Sequence, residues 1–129
     1  MSREIPEEAE ELLTSEPLVA HLGTCHDTNP HVAPLWYTVR DGAIEITTTG
    51  RKLENIRQND RVALSVQKDE DGHPRWGVTV QGTATVVDDE AESQEVAHRI
   101  NRKYGVEADA SSENTAVRIE ISRVNHWEY

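Results

Sequence analysis

The segment HVAPLWYTVRDGAIEITTTGRKLENIRQND, residues 31–60, decides the fold because it joins two strand patterns, a hairpin turn and the start of a helix. Asp41-Gly42 is the strongest hairpin signal in the sequence, since an Asp-Gly pair favours a two-residue turn between antiparallel strands. Ile44 and Ile46 alternate with polar or small residues, which predicts a half-buried strand that ends at a Thr-Thr-Thr-Gly corner. We therefore predict an antiparallel hairpin that leads directly into a short helix.

Alternating apolar residues extend the strand pattern to both sides of this segment. We predict strands at residues 18–24, 32–39, 62–66, 76–86 and 117–121, and helices at residues 6–14 and 89–104. Gly82 lies within the longest strand and predicts a bulge, a bend or a close backbone contact. Polar residues predict a connection at 25–30 and a tail at 125–129. Because strands follow strands directly, the six predicted strands favour a closed or nearly closed antiparallel barrel over a parallel sheet.

The length and charge of the chain limit its organisation and its partners. With 129 residues, of which 36% are hydrophobic, the sequence fits one domain over residues 1–129. Its 24 acidic and 13 basic side chains give a net charge of -11, which argues against nucleic acid or an anionic membrane as a partner. Lysine is scarce, with three against ten arginines, and such an acidic surface suits a salt-rich, halophilic cytoplasm.

The cysteine content and the hydropathy of the chain indicate its compartment. Cys25 is the single cysteine and cannot form an intramolecular disulfide, and the sequence shows no signal peptide or membrane-spanning apolar run. We therefore expect a soluble cytoplasmic protein. Cys25, His26 and His31 lie within seven residues, but they lack a fourth ligand and fit no familiar zinc spacing, so we predict no metal site.

The Thr-Thr-Thr-Gly corner carries the candidate binding chemistry. The threonines at 47–49 offer hydroxyls, Gly50 lets the backbone approach a ligand, and the following helix turn has unpaired N–H groups. Arg51 and Lys52 lie in that first turn, where cations oppose the helix dipole, so a bound phosphate is one explanation for them. The other explanation is that the last threonine only caps the helix while both cations pair with Glu54 or other acids. The local sequence leaves both open.

Several motifs follow one another at regular spacing over residues 18–89. They are Pro34 with Trp36, Thr47, Lys52 with Asn55, Asp60-Arg61-Val62, and Val80-Gln81-Gly82-Thr83-Ala84. In this order they resemble the pyridoxamine 5'-phosphate oxidase-like superfamily of split-barrel flavoproteins. The resemblance implies a mainly β fold, a split barrel of Greek-key-like antiparallel topology, and flavin mononucleotide (FMN) bound at the interface of a homodimer.

The resemblance also implies which residues contact the cofactor. The FMN phosphate would lie against Arg51 and Lys52 with help from Thr47 or Thr48, and Trp76 and Gly77 would add contacts from the long strand. The isoalloxazine ring and the ribityl chain would lie along the backbone of His31, Val32, Ala33, Pro34, Leu35 and Trp36.

The sequence departs from that of the true pyridoxamine phosphate oxidases at positions that matter for function. His31 and Trp36 stand where those enzymes have arginine and lysine, and the ending RVNHWEY, residues 123–129, lacks their substrate-binding terminus. We therefore do not expect vitamin B6 oxidation.

The resemblance implies an FMN-dependent oxidoreductase that acts on an unidentified small molecule. The cofactor would carry the redox chemistry, so we predict no catalytic residue, and Tyr37 and His31 are the nearest titratable side chains. Two alternatives stay open. The segments PLWY and GRKLENIRQNDRV are similar to deazaflavin-dependent reductases, which use 8-hydroxy-5-deazaflavin. The second alternative is a non-catalytic module that binds flavin or haem.

Overall fold

Seven strands and three helices make up the part of the chain that the computed structural model describes, residues 5–110 and 113–129. In chain order they are α1 (Glu7–Thr14), β1 (Ala20–His26), β2 (Asn29–Leu35), β3 (Tyr37–Arg40), β4 (Ala43–Thr48), α2 (Gly50–Gln58), β5 (Arg61–Glu70), β6 (His73–Val86), α3 (Glu90–Lys103) and β7 (Thr115–Glu128). None of these helices is long and apolar enough to cross a membrane.

The strands form one antiparallel sheet in the order β2-β1-β5-β6-β7-β4-β3. The strands β2 and β3 therefore lie at opposite edges of the sheet, although only Trp36 separates them in the chain. One residue spans only a few ångströms, so the two edges must meet at this point and the sheet must curl. We call the place where β2 passes into β3 the seam. The predicted antiparallel barrel with peripheral helices is confirmed.

Three predictions about the strands were wrong. The strand predicted at 32–39 is two strands, so the sheet has seven strands rather than six. The connection predicted at 25–30 shrinks to a two-residue turn, because β1 continues to His26 and β2 begins at Asn29. The tail predicted at 125–129 is mostly strand, because β6 faces it and Trp76 pairs with Glu128. In the last two cases a facing strand, rather than the local composition, determines where the strand ends.

The core lies inside the curled sheet and beneath α1. Leu22, Ile44, Ile46, Val78 and Ile119 are fully buried there, on the faces that the period-two alternation predicts. The predicted irregularity at Gly82 is confirmed, because the pairing of β6 with β7 shifts register between Gln81 and Gly82. A Cβ atom at Gly82 would collide with the carbonyl oxygen of Glu120, so the position requires glycine.

The helix predicted at 89–104 is confirmed as α3 and is held against β4 by a buried ion pair. Its N-terminus is capped by Asp89, whose side chain accepts a hydrogen bond from the N–H of Ala91 at 3.0 Å. Arg99 Nη2 lies 3.0 Å from both carboxylate oxygens of Glu45, which is only 4% exposed. Arg118 adds a weaker contact at 3.7 Å. This pair fixes the C-terminal end of α3 beside the seam.

Candidate functional site

A cavity of about 360 Å³ lies at the seam, between β2, the end of β4, the start of α2 and the end of α3. We call it the seam cavity. Six of the twelve residues predicted to bind the cofactor line it: Pro34, Leu35, Trp36, Thr47, Thr48 and Lys52. The structure thus brings the predicted strand and the predicted corner together, although 10 residues separate Trp36 from Thr47 in the chain.

The start of α2 has the features of an anion site. Thr49 precedes the helix in an extended conformation, and its side chain makes no capping hydrogen bond. The first turn contains no acidic residue, and within the described ranges neither Arg51 nor Lys52 forms an ion pair. The capping and pairing explanation of this corner is therefore wrong. The N-terminal N–H groups and the Lys52 ammonium are available to a ligand in the seam cavity.

Thr48 supplies the clearest sign of a missing partner. Its side chain is 2% exposed, and its hydroxyl Oγ1 has no hydrogen-bond partner among the described residues. Leaving a buried hydroxyl unpaired costs about 1–3 kcal/mol, so proteins rarely leave one without a reason. Because Thr48 lines the seam cavity, a ligand bound there can supply the partner.

Arg51 lies at a different cavity from Lys52. This neighbouring cavity, of about 500 Å³, is also lined by His26, His31, Glu54 and Asn55. Like Thr48, the half-buried His31 has a buried atom without a partner, its ring nitrogen Nδ1. The predicted pair of cations is thus divided, because Lys52 lines the same cavity as Thr48 and Arg51 lines the same cavity as His31.

Four other predicted residues lie at neither cavity. Trp76 is buried in the barrel core at 7% exposure, and Gly77 packs so closely under Trp127 that a Cβ atom would lie 2.5 Å from that ring. Val32 is 67% exposed on the outer face of the sheet, and Ala33 is half-buried. Within one chain, these residues do not join the seam cavity.

The end of α3 supplies residues at the seam that the sequence did not predict there. The ring of Tyr104 stacks on Trp36, with centroids 4.6 Å apart and planes 6° apart. Its hydroxyl donates to the carbonyl of Leu18 at 2.5 Å and accepts the N–H of Tyr37 at 3.3 Å. Burial raises the pKa of this phenol. In the sequence, Tyr104 continues the apolar face of the predicted helix. The available signal for a further role was its polar hydroxyl, next to the glycine that ends the helix.

Lys103 and Tyr37 complete this aromatic cluster. Lys103 Nζ donates to the carbonyl of Tyr37 at 2.9 Å and lies 3.8 Å above the Tyr37 ring. Burial lowers the pKa of Lys103 to about 8. The Tyr37 hydroxyl donates to the carbonyl of Leu13 at 2.6 Å, and burial raises its pKa. Tyr37 is therefore a structural residue and not an acid or base for a ligand.

Asn101 forms the wall of the seam cavity opposite the corner. Its side-chain nitrogen Nδ2 donates to the carbonyls of Ala108 and Ala110, at 3.0 and 2.9 Å. These bonds fold the segment 105–110 back over the end of α3, so that Val106 and Ala110 line the cavity. This role could not be predicted from the sequence, because the partners of Asn101 are backbone carbonyls.

Comparisons with known proteins agree with the fold. A family model described as pyridoxamine 5'-phosphate oxidase matches residues 5–128. The chain is 25% identical to protein Rv2991 of Mycobacterium tuberculosis, over 98% of this chain and 86% of that one, with a TM-score of 0.82. It is also 25% identical to an F420 reductase, over 94% and 98%, with a TM-score of 0.75.

A third structure has the same fold. An FAD-binding protein of Mesorhizobium loti is 24% identical over 98% of this chain and 95% of that one, with a TM-score of 0.76. No curated protein sequence matches the chain. The split-barrel fold expected from the sequence is therefore confirmed.

Proposed function

The chain belongs to the pyridoxamine 5'-phosphate oxidase family, and on that premise we propose that it binds FMN at the seam cavity and is an oxidoreductase for a small molecule. The buried Thr48 hydroxyl, which has no partner in the part of the chain that the structure describes, is the observation that carries the proposal. It lies in the same cavity as Lys52, at the start of a helix with no cap and no acidic first turn.

The phosphate of the cofactor fits the corner for electrostatic reasons. A phosphate accepts hydrogen bonds from the N–H groups at the start of α2, from the Thr48 hydroxyl and from Lys52. The chain carries a net charge of -11, so a cavity with a cation that forms no ion pair among residues 5–110 and 113–129 differs from most of its surface. The phosphate would relieve both the unpaired hydroxyl and the cation that opposes the helix dipole.

The strand side of the cavity fits a planar ring. Pro34, Leu35 and Trp36 give it a mainly apolar wall with one aromatic surface, and cofactor pockets are usually of this kind. When bound, the flavin supplies the electron or hydride transfer, while these residues bind and orient it. No side chain of the cavity is assigned as an acid or base.

A second copy of the chain fits the outer face of β1, β5, β6 and β7. Eight residues at least partly exposed there line a shallow groove, and none of them is acidic: His21, Gly23, Ala63, Ser65, Thr79, Gln81, Arg123 and Asn125. Acids are 24 of the 129 residues, so a groove lined without them is unusual in this protein. Two such grooves can face each other without direct repulsion between carboxylates, which supports the predicted homodimer.

An FMN titration in high salt tests the proposal. We expect flavin absorbance bands in the purified protein or tight, saturable quenching of flavin fluorescence. Lys52→Met removes the cation of the seam cavity and should weaken FMN binding about tenfold or more, since hydrogen bonds to charged groups contribute about 1.5–3 kcal/mol. Lys68→Met is the matched control, because Lys68 pairs with Glu16 at 2.8 Å and lines neither cavity.

The variant Arg51→Met separates the two cavities. If the phosphate binds at the seam cavity, Arg51→Met weakens FMN binding less than Lys52→Met does. The reverse order would place the phosphate beside His31 instead. Absence of bound flavin and of any titration response would overturn the proposal for FMN.

The similarity to an F420 reductase favours 8-hydroxy-5-deazaflavin as a second candidate cofactor. Both cofactors present a phosphate to the same corner, so the Lys52→Met result does not distinguish them. Parallel titrations of the wild-type chain with FMN and with the deazaflavin distinguish the two cofactors. Tighter binding of the deazaflavin than of FMN would replace the first candidate by the second.

A further inference from the structure

The backbone of Tyr37 is tied to the end of α3 by two side chains. Tyr37 begins the edge strand β3, immediately after the seam. Its N–H donates to the Tyr104 hydroxyl at 3.3 Å, and its carbonyl accepts from Lys103 at 2.9 Å. An edge strand lacks a neighbouring strand on one side, so these side chains provide partners that a ladder would otherwise provide. The end of α3 therefore fixes the backbone next to Trp36.

The ring of Tyr104 is itself held at its far end. Its hydroxyl bonds to both Leu18 and Tyr37, so the ring cannot slide along the surface without breaking those bonds. Trp36 packs flat on this ring, at 4.6 Å and 6°. One face of the Trp36 indole is thereby covered, while 38% of the residue stays exposed and lines the seam cavity.

Trp36 is held in place differently from Trp76 and Trp127. Trp76 is held by the barrel core, and Trp127 covers Gly77 on the outer face. Trp36 lies outside both flanking strands, so ladder hydrogen bonds do not orient its side chain, and its stacking partner does. A side chain that is fixed before a ligand arrives loses less entropy on binding.

We propose that Tyr104 is a positioning residue, which holds Trp36 as a preformed wall of the seam cavity and thereby raises its affinity for a planar ring. The inference rests on the proposed function, because FMN is the planar ligand. Tyr104 touches the ligand only through Trp36. Lys103 contacts both tyrosines: its Nζ binds the carbonyl and the ring of Tyr37 and lies 5.1 Å from the centroid of the Tyr104 ring.

The test compares Tyr104→Leu, which removes the ring, with Tyr104→Phe, which removes only the hydroxyl. In the ligand-free protein we measure near-ultraviolet circular dichroism and identify the Trp36 signal by its loss in Trp36→Leu. We expect Tyr104→Leu to lose this signal and to bind FMN about two- to tenfold more weakly, the range that an aromatic pair is worth. Tyr104→Phe should keep the signal while the Tyr37 amide hydrogen exchanges faster.

Tyr129→Leu is the matched control, because this tyrosine is 73% exposed and should change neither reading. If Tyr104→Leu fails to fold, Tyr104→Met keeps a similar volume without the ring, and the same two readings apply. An unchanged Trp36 signal overturns the proposal, as does a lost signal with FMN affinity within twofold of wild type. If the wild-type chain binds no FMN, the proposed function fails by itself, and the Trp36 signal still decides whether Tyr104 holds Trp36.

Discussion

Buried polar groups are paired in the packed layers of the protein, which are the barrel interior and the contact between α3 and the sheet, but not all of them are paired at the seam cavity. Between α3 and the sheet, Glu45 has Arg99 at 3.0 Å, and in the barrel interior the Tyr37 hydroxyl has the carbonyl of Leu13 at 2.6 Å. At the seam cavity, the Thr48 hydroxyl has no partner among the described residues, and the ammonium of Lys52 forms no ion pair there. These packed layers supply their own partners, whereas the cavity lacks a partner that a ligand can supply. Substitutions in the two regions should therefore affect different properties, stability in the first and ligand affinity in the second.

The largest expected effect is in the packed layers, at the ion pair between α3 and β4. Arg99→Met leaves the Glu45 carboxylate buried with only Arg118, 3.7 Å away, to compensate it. Breaking a buried pair costs about 3–5 kcal/mol, so we expect the free energy of unfolding to fall by about 3 kcal/mol. Urea denaturation measures this, with Arg102→Met on the exposed side of the same helix as control. A loss no larger than that of the control would mean that this pair does not hold α3.

A smaller effect is expected at Asn101, which holds the segment 105–110 at the seam cavity. Asn101→Asp replaces a donor of two hydrogen bonds by a carboxylate facing the carbonyls of Ala108 and Ala110. We expect faster amide exchange in the segment 105–110 and FMN binding about tenfold weaker, because a lost pair of buried bonds costs about 1–3 kcal/mol. Asn114→Asp adds the same charge to the same cavity without touching those carbonyls. Equal exchange in both variants would contradict the role of Asn101.

Much of the fold follows from local sequence, and the part that does not is the seam. The Asp41-Gly42 turn, the helix before Gly105 and the irregularity at Gly82 depend on neighbouring residues and were predicted correctly. The division of the strand at Trp36 arises from the curling of the whole sheet, and no local pattern marks it.

The candidate site likewise has one part that the sequence predicts and another that it does not. The corner at residues 47–52 is contiguous, so its chemistry is visible in the sequence. Asn101 reaches the cavity, and Lys103 and Tyr104 reach the seam, only because α3 packs against β4, and they bind backbone groups that the sequence does not distinguish. The helical period predicts that Tyr104 faces inward, but it does not predict that Trp36 lies opposite.

The pH dependence of stability tests the environment of Lys103. Burial lowers the pKa of Lys103 from 10.5 to about 8 in the folded chain, so between these values the unfolded chain binds more protons. The contribution of Lys103 to stability must therefore rise with pH through this window. Lys103→Met should lack the rise when unfolding is measured below, within and above it.

Lys68→Met provides a control of opposite sign for that experiment. The hydrogen bond that Lys68 donates to Glu16 raises the pKa of Lys68, so its contribution is lost, not gained, as pH increases. If wild type and Lys103→Met showed parallel stability curves, the amine would be exposed to solvent and not held at the seam.

The most direct measurement compares Thr48→Val with Thr24→Val, one hydroxyl from each region. The Thr24 hydroxyl accepts a hydrogen bond from Asn55 at 3.1 Å, so its loss should destabilise the ligand-free protein by about 1 kcal/mol. Thr48→Val removes a buried hydroxyl that no described residue pairs with, so we predict unchanged or higher stability without ligand, together with FMN binding about tenfold weaker. Lower stability with unchanged FMN affinity would show that the Thr48 hydroxyl serves the fold and that the seam cavity is not the phosphate site.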